Sequence, residues 1–200
     1  MIASLCNKIC DYFVASQIIP EEDKPLYLYG LHQSIIMIVN IAITLLIGYI
    51  LGMMWHSLLY LLTYIPIRTY GGGFHAKTPL RCYCSSVILV IATLLAMKLI
   101  PWTPFICIIG ITFSIVFILI LAPIEDKNKP FSAKEKTVFK KRTRIILFIE
   151  ITLYIISLIL HFSILYLCIC MSLVTLSLML ILGRIKNYFL EKNTTTQIIT

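Results

Sequence analysis

Cys82 and His75 are the two side chains whose types and setting suit acyl transfer. They stand in the run Arg68-Thr69-Tyr70-Gly71-Gly72-Gly73-Phe74-His75-Ala76-Lys77-Thr78-Pro79-Leu80-Arg81-Cys82-Tyr83-Cys84. A thiolate is a strong nucleophile toward a carbonyl, and an imidazole within hydrogen-bond reach can take and return its proton. Thr78-Pro79 reads as a helix start, with Thr as N-cap and Pro at the first helical position, where its missing N–H costs nothing. Cys82 then falls in the first turn or just beyond. Unpaired N–H groups, the positive end of the helix dipole, Lys77 and Arg81 there favour a sulfur anion. On one straight helix the seven-residue step from His75 to Cys82 would cover about 10 Å, against the roughly 3 Å a proton transfer needs. The chain must therefore fold back, which three consecutive glycines permit and Pro79 encourages. The spacing alone leaves open a Gly-rich connector with an incidental thiol.

The elements that would position this pair are apolar. The 200 residues are 60% hydrophobic and 13% charged, a composition that points to a polytopic all-α membrane protein. The seven cysteines do not form a disulfide framework: Cys107, Cys168 and Cys170 lie inside apolar runs as small hydrophobes. Cys6 and Cys10 share a helix face without companion ligands, so no metal site or cofactor is expected. No continuous apolar core precedes a small-residue cleavage site near the start, so no signal peptide is expected. The net charge of +8 is explained by basic loops on one side of a membrane, and nucleic acid is not an expected partner.

In chain order, Ile2, Leu5, Cys6, Ile9 and Phe13 recur at helical spacing, which predicts a short amphipathic helix on the membrane surface. The Pro20 to Pro25 segment reads as a helix break. Residues 31–51 make a first span long enough to cross a bilayer, and its His32, Gln33 and Asn40 should face other helices. Gly52 closes it. Residues 53–67 form a shorter second span that reaches the surface with Arg68 snorkelling. Residues 84–100 and 105–122 give the third and fourth spans, with Lys98 snorkelling and a turn at residues 101–104. Residues 123–144 read as a hydrophilic connector and the main basic loop. Residues 145–182 would be about 57 Å long as one helix, nearly twice the roughly 30 Å hydrocarbon core, so they must form two spans with a turn near His161 and Ser163. Gly183 closes the sixth span, and a flexible tail follows. The chain thus reads as one membrane-embedded domain over residues 1–200, with an interfacial segment (1–30), six spans (31–182) and a tail (183–200). If both termini lie on one side, sixteen of the 17 Lys and Arg residues share it and only Lys98 lies opposite, which makes that side cytoplasmic and puts the Cys/His segment at the inner face.

The combination of Arg68, Gly72-Gly73-Phe74-His75-Ala76-Lys77-Thr78 and Cys82 resembles the AgrB family, the accessory gene regulator processing peptidases of Gram-positive bacteria. Tyr29-Gly30 and Ala122-Pro123-Ile124-Glu125-Asp126-Lys127-Asn128-Lys129-Pro130 also look like family signatures. The resemblance implies a membrane-embedded cysteine endopeptidase that cuts an AgrD-like propeptide and helps close it into a cyclic autoinducer for quorum sensing. His75 and Cys82 match the family's catalytic positions, whereas Cys84 does not hold the motif position. Gln33 stands where relatives are expected to carry an acid.

Supporting or orienting candidates are Arg68, Gly72, Gly73 and Glu150, the last about a turn and a half inside the fifth span, where an acid is costly. Orienting His75 is one role for Glu150, and pairing with a nearby Arg or Lys is simpler. Lys77, Arg81, Lys140, Lys141 and Arg142 are candidates for contact with an acidic substrate segment, and N–H groups at the start of the third span for the oxyanion site. A transporter or peptide channel is the competing class, a scaffold for a membrane sensor another, and a homodimer stays open.

Overall fold

The computed structural model describes residues 2–74, 79–125 and 131–199. Among them are seven α-helices and no strand: α1 (Ile2–Ala15), α2 (Lys24–Ile50), α3 (Met54–Gly71), α4 (Pro79–Leu99), α5 (Pro104–Leu121), α6 (Ala133–Ile159) and α7 (Ser163–Ile199), with a 3₁₀ turn at Glu21–Asp23. The chain divides into two compact units, Met1–Leu46 and Ile47–Thr200.

In the first unit, α1 buries Cys6 and Cys10 completely, the i, i+4 pair of one face. Asn7, Lys8 and Asp11 are exposed. Gln17, at φ +57°, ends the helix in the left-handed conformation. Asp11 accepts from Lys24 at 2.7 Å, and this hydrogen bond raises the pKa of the Lys24 ammonium. The Pro20 to Pro25 segment starts a helix instead of merely breaking one: Pro25 occupies the first turn of α2, where no intrahelical N–H is required. Asn40 and Thr44 donate to the carbonyls of Ile36 and Asn40, one turn back, so their polar groups are satisfied within the helix.

The second unit is organised around α7. Cys168, Ile169, Cys170, Leu173, Leu176 and Leu180 on this helix are fully buried, and α5, α3 and α6 pack along it. Small residues allow the close approach: a Cβ on Gly110 of α5 would sit 3.3 Å from Val174, and Ser114 meets Ser177 at 3.4 Å. Such contacts favour helix association in lipid.

Four helical stretches are long and apolar enough to cross a membrane: Glu21–Ile50, Arg81–Leu99, Pro104–Leu121 and Ser163–Phe189. The expected second and fifth spans fall on α3 and on the second half of α6, which are helical but do not meet that measure. The 38-residue apolar block splits where expected, between α6 and α7, with His161 at φ +56°. Gly52 ends α2 at φ +69°.

Two boundaries differ from the sequence reading. The basic connector is helical from Ala133, because Ser132 and Glu135 form a reciprocal capping box: the Glu135 N–H donates to Ser132 Oγ at 3.2 Å, and the Ser132 N–H donates to Glu135 Oε2 at 2.8 Å. These bonds satisfy donors that would otherwise destabilise the helix start. Gly183 does not close the last span, since α7 runs through it to Ile199 where a flexible tail was expected.

Candidate active site

Cys82 is the fourth residue of α4 and is half-buried, whereas Cys84 is exposed and lies roughly 200° around the helix. Pro79 does begin the helix, as its fixed φ favours. His75, Lys77 and the expected cap Thr78 lie outside the described residues.

The chain leading to His75 is held by its backbone. The α3 helix ends at Gly71, and Gly72 and Gly73 follow at φ +71° and +130°, conformations that L side chains rarely adopt. Space demands glycine there too: a Cβ on Gly72 would overlap the Ile124 carbonyl oxygen, and one on Gly73 would lie 3.0 Å from the Arg68 guanidinium. The Gly71 carbonyl accepts from the Ile124 N–H at 3.1 Å, and the Phe74 N–H donates to the Met179 carbonyl of α7 at 2.9 Å. Arg68 Nη1 donates to the Gly72 carbonyl, and Nη2 donates to the Phe74 carbonyl at 2.9 Å. The half-buried Arg68 side chain therefore turns back onto these carbonyls. Its planar fork caps the C-terminal end of α3 and fixes the segment beyond it, a task suited to a guanidinium at the negative end of a helix.

Residues that the sequence did not place at the site complete this clamp. A Cβ on Gly183 would lie 2.9 Å from Gly73 C and 3.0 Å from Phe74 N, so only a glycine lets α7 pass this close. Asn187 donates to the Glu125 carbonyl at 3.1 Å, and the Glu125 carboxylate accepts the Phe131 N–H at 3.0 Å and lies 3.7 Å from Lys136. The Ala122–Glu125 part of the second signature is thus a brace between the glycine segment, α6 and α7; residues 126–130 lie outside the described residues. The signal for Gly183 was a glycine placed inside an otherwise continuous helical sequence.

The remaining candidates separate. Arg142 donates to the Tyr70 hydroxyl at 2.9 Å and stacks 5.0 Å over its ring, tying α6 to the end of α3. Lys140 and Lys141 are exposed on α6. Arg81 is exposed beside Cys82. Glu150 is 4% exposed, on the α6 face that also buries Thr143, Leu147, Tyr154 and Ser157. Neither of its carboxylate oxygens has a hydrogen-bond partner, so the simpler expectation of pairing with an Arg or Lys is not met. No cluster of three or more metal-binding side chains occurs among the described residues.

One end of this unit gathers Arg68, Gly71–Phe74, Ile124, Arg142 and Gly183. The other gathers the end of α2 and the start of α5: Lys98 donates to the Leu51 carbonyl at 3.0 Å, and Trp102 donates to the Ala96 carbonyl at 2.8 Å. The thiol of Cys168 approaches the His56 carbonyl at 3.4 Å in the same region.

The family model of accessory gene regulator B matches residues 6–181. An AgrB-like protein of Clostridium perfringens (strain SM101 / Type A) is 28% identical over 171 residues, covering 82% of this chain and 80% of its own. The accessory gene regulator protein B of Staphylococcus aureus (strain Newman) is 32% identical over 113 residues, covering 56% of this chain and 58% of its own. That of Staphylococcus intermedius is 24% identical over 115 residues, covering 58% of this chain and 57% of its own. No solved structure matches.

Proposed function

The chain belongs to the accessory gene regulator B family, and we propose that it is a membrane-embedded cysteine endopeptidase that processes an AgrD-like propeptide into a cyclic signalling peptide. His75 takes the Cys82 proton, and the sulfur attacks the scissile carbonyl. His75 then protonates the departing amine as the C–N bond breaks, leaving an acyl-enzyme thioester. Water would release a linear product. A thiol within the bound peptide instead exchanges one thioester for another, closing a thiolactone and restoring the Cys82 thiol; a hydroxyl closes a lactone. Making a thioester from a peptide bond is uphill, so removal of the cleaved tail or export of the ring must draw the reaction forward.

The observation that carries this reading is the anchored segment that leads into residues 75–78 and the helix start that follows them. Phe74, bonded directly to His75, has its N–H and its carbonyl both engaged, while Pro79 starts the helix that bears Cys82. His75 is thus about 3.8 Å in Cα distance from an anchored residue. Lys77 and Arg81, which precede Cys82 in the chain, are assigned to an acidic part of the substrate.

In this reading the chain is one peptidase domain with six spans, α3 and the apolar half of α6 being the second and fifth, and with α1 on the membrane surface. Both termini and the site are cytoplasmic, because with six spans sixteen of the 17 Lys and Arg residues fall in segments on one side, the side of excess positive charge. Co-expression with a tagged propeptide tests the chemistry: Cys82→Ser and His75→Ala each abolish cleavage, and Cys84→Ser keeps it. Cleavage that survives Cys82→Ser rejects the assignment.

A further inference from the structure

Outside the site, α6 carries a shallow groove of about 430 Å³ lined by Thr137, Lys140, Lys141, Arg144, Ile145 and Phe148. Its centre lies roughly 120° around the helix from the buried face of Thr143, Leu147 and Glu150, at about 100° per residue, so it opens away from the bundle. The ion pairs among the described residues are Lys24 with Asp11 and Lys136 with Glu125, and neither involves the three cations of the groove. One turn further along, Ile145 and Phe148 are 49% and 71% exposed, and Ile156 and Ile159 beyond them on α6 are also exposed. Three cations directly above exposed apolar side chains match a phosphate attached to acyl chains.

We propose that this groove binds the headgroup of an anionic phospholipid, with Lys140, Lys141 and Arg144 on the phosphate and Ile145 and Phe148 along the acyl chains. The assignment rests on the membrane placement given to α6 above and is independent of the peptidase chemistry. An acidic peptide segment fits the cations but gives no reason for Phe148 to lie bare beside them, on the side turned from the bundle.

Native mass spectrometry of the detergent-solubilised full chain, titrated with phosphatidylglycerol or phosphatidylcholine, tests it. The wild type should retain phosphatidylglycerol preferentially. Each of Lys140→Gln, Lys141→Gln and Arg144→Gln should weaken that retention roughly fivefold, and the triple variant about a hundredfold. Lys134→Gln/Lys136→Gln, off the groove, should leave it unchanged. Equal retention by the wild type and the triple variant overturns the proposal, as does an acidic peptide whose binding falls in the triple variant while lipid retention stays constant. Phe148→Trp in vesicles of acyl-brominated phosphatidylcholine separates the two layers of the reading: quenching added over the background of Trp55 and Trp102 shows α6 immersed, and its absence removes the membrane placement itself.

Discussion

Gly183→Ala isolates the contact between α7 and the glycine segment. By helix propensity alone the substitution should stabilise α7 by about 1 kcal/mol. The added methyl carbon, however, would stand 2.9 Å from Gly73 C and 3.0 Å from Phe74 N, where ordinary contact needs about 3.5–4 Å. Both neighbours are backbone atoms. They are held by the Phe74 N–H bond to Met179 and by the Arg68 fork, so no side-chain rotation can relieve the overlap. Overpacking of this kind costs about 1–3 kcal/mol, and stretching the Phe74 bond adds about 1 kcal/mol, leaving a net destabilisation of about 1–3 kcal/mol. Relief requires the segment to move by about 0.5–1 Å, and His75 moves with it. A misplacement of about 1 Å can reduce turnover about a hundredfold. The assay is cleavage of a tagged propeptide by purified protein in vesicles, with thermal unfolding measured in parallel. We expect kcat to fall between about tenfold and a hundredfold while KM changes little. Gly110→Ala is the control: its Cβ would press on the Val174 side chain at 3.3 Å, away from the motif, and should leave cleavage intact. Gly183→Ala cleaving at the wild-type rate would refute the clamp.

Arg68→Lys replaces a two-pronged donor with a single ammonium, so at least one of the Gly72 and Phe74 carbonyls loses its partner; cleavage should fall more than about tenfold, and an unchanged rate would show that the fork does not position the segment. Glu150→Leu removes a carboxylate buried without a partner and should stabilise the fold by about 1–3 kcal/mol, seen as a higher unfolding temperature in detergent; a lower one would mean that the carboxylate is satisfied in the membrane. Ser132→Ala opens the capping box and should cost about 1 kcal/mol, read as faster hydrogen exchange over the first turns of α6, and unchanged exchange would remove the cap from the account.

The helix boundaries that were legible carried local punctuation with a local cause. Pro79 opens a helix at a position that needs no N–H, and Gly52 closes one in a left-handed turn. Gly183 misled because the same residue type serves inside a helix when another backbone takes the space a Cβ would need, as that of Gly73 does here, and sequence order does not say what lies opposite. Residues 133–144 misled for a different reason: their charges hid a helix whose start was written in Ser132-Ala133-Lys134-Glu135. Cys82 and His75 stood out by chemistry, yet the support for His75 comes from Ile124, Met179 and Gly183, about 50 to 110 residues away in the chain. Arg68 was placed by charge at a surface, whereas the carbonyls that claim it are created by the turn it stabilises.

The two halves of the proposed centre are supported unequally, and the difference suits a processing enzyme. On the His75 side, backbone groups from the Ile124 segment and α7 join the Arg68 fork of α3 in fixing Gly71–Phe74. On the Cys82 side, none of residues 81–92 is buried; α4 is anchored at its other end, where Thr93, Leu94 and Met97 are buried and Thr93 meets Thr175 at 3.5 Å. A segment with few buried contacts opens and shifts at lower cost than a packed one. Phe74, the residue before the proposed base, is thus tied to α3 and α7, while the proposed nucleophile lies in the half of α4 that has no buried residue. In the proposed mechanism, binding of the propeptide brings thiol and imidazole together and so completes the catalytic geometry.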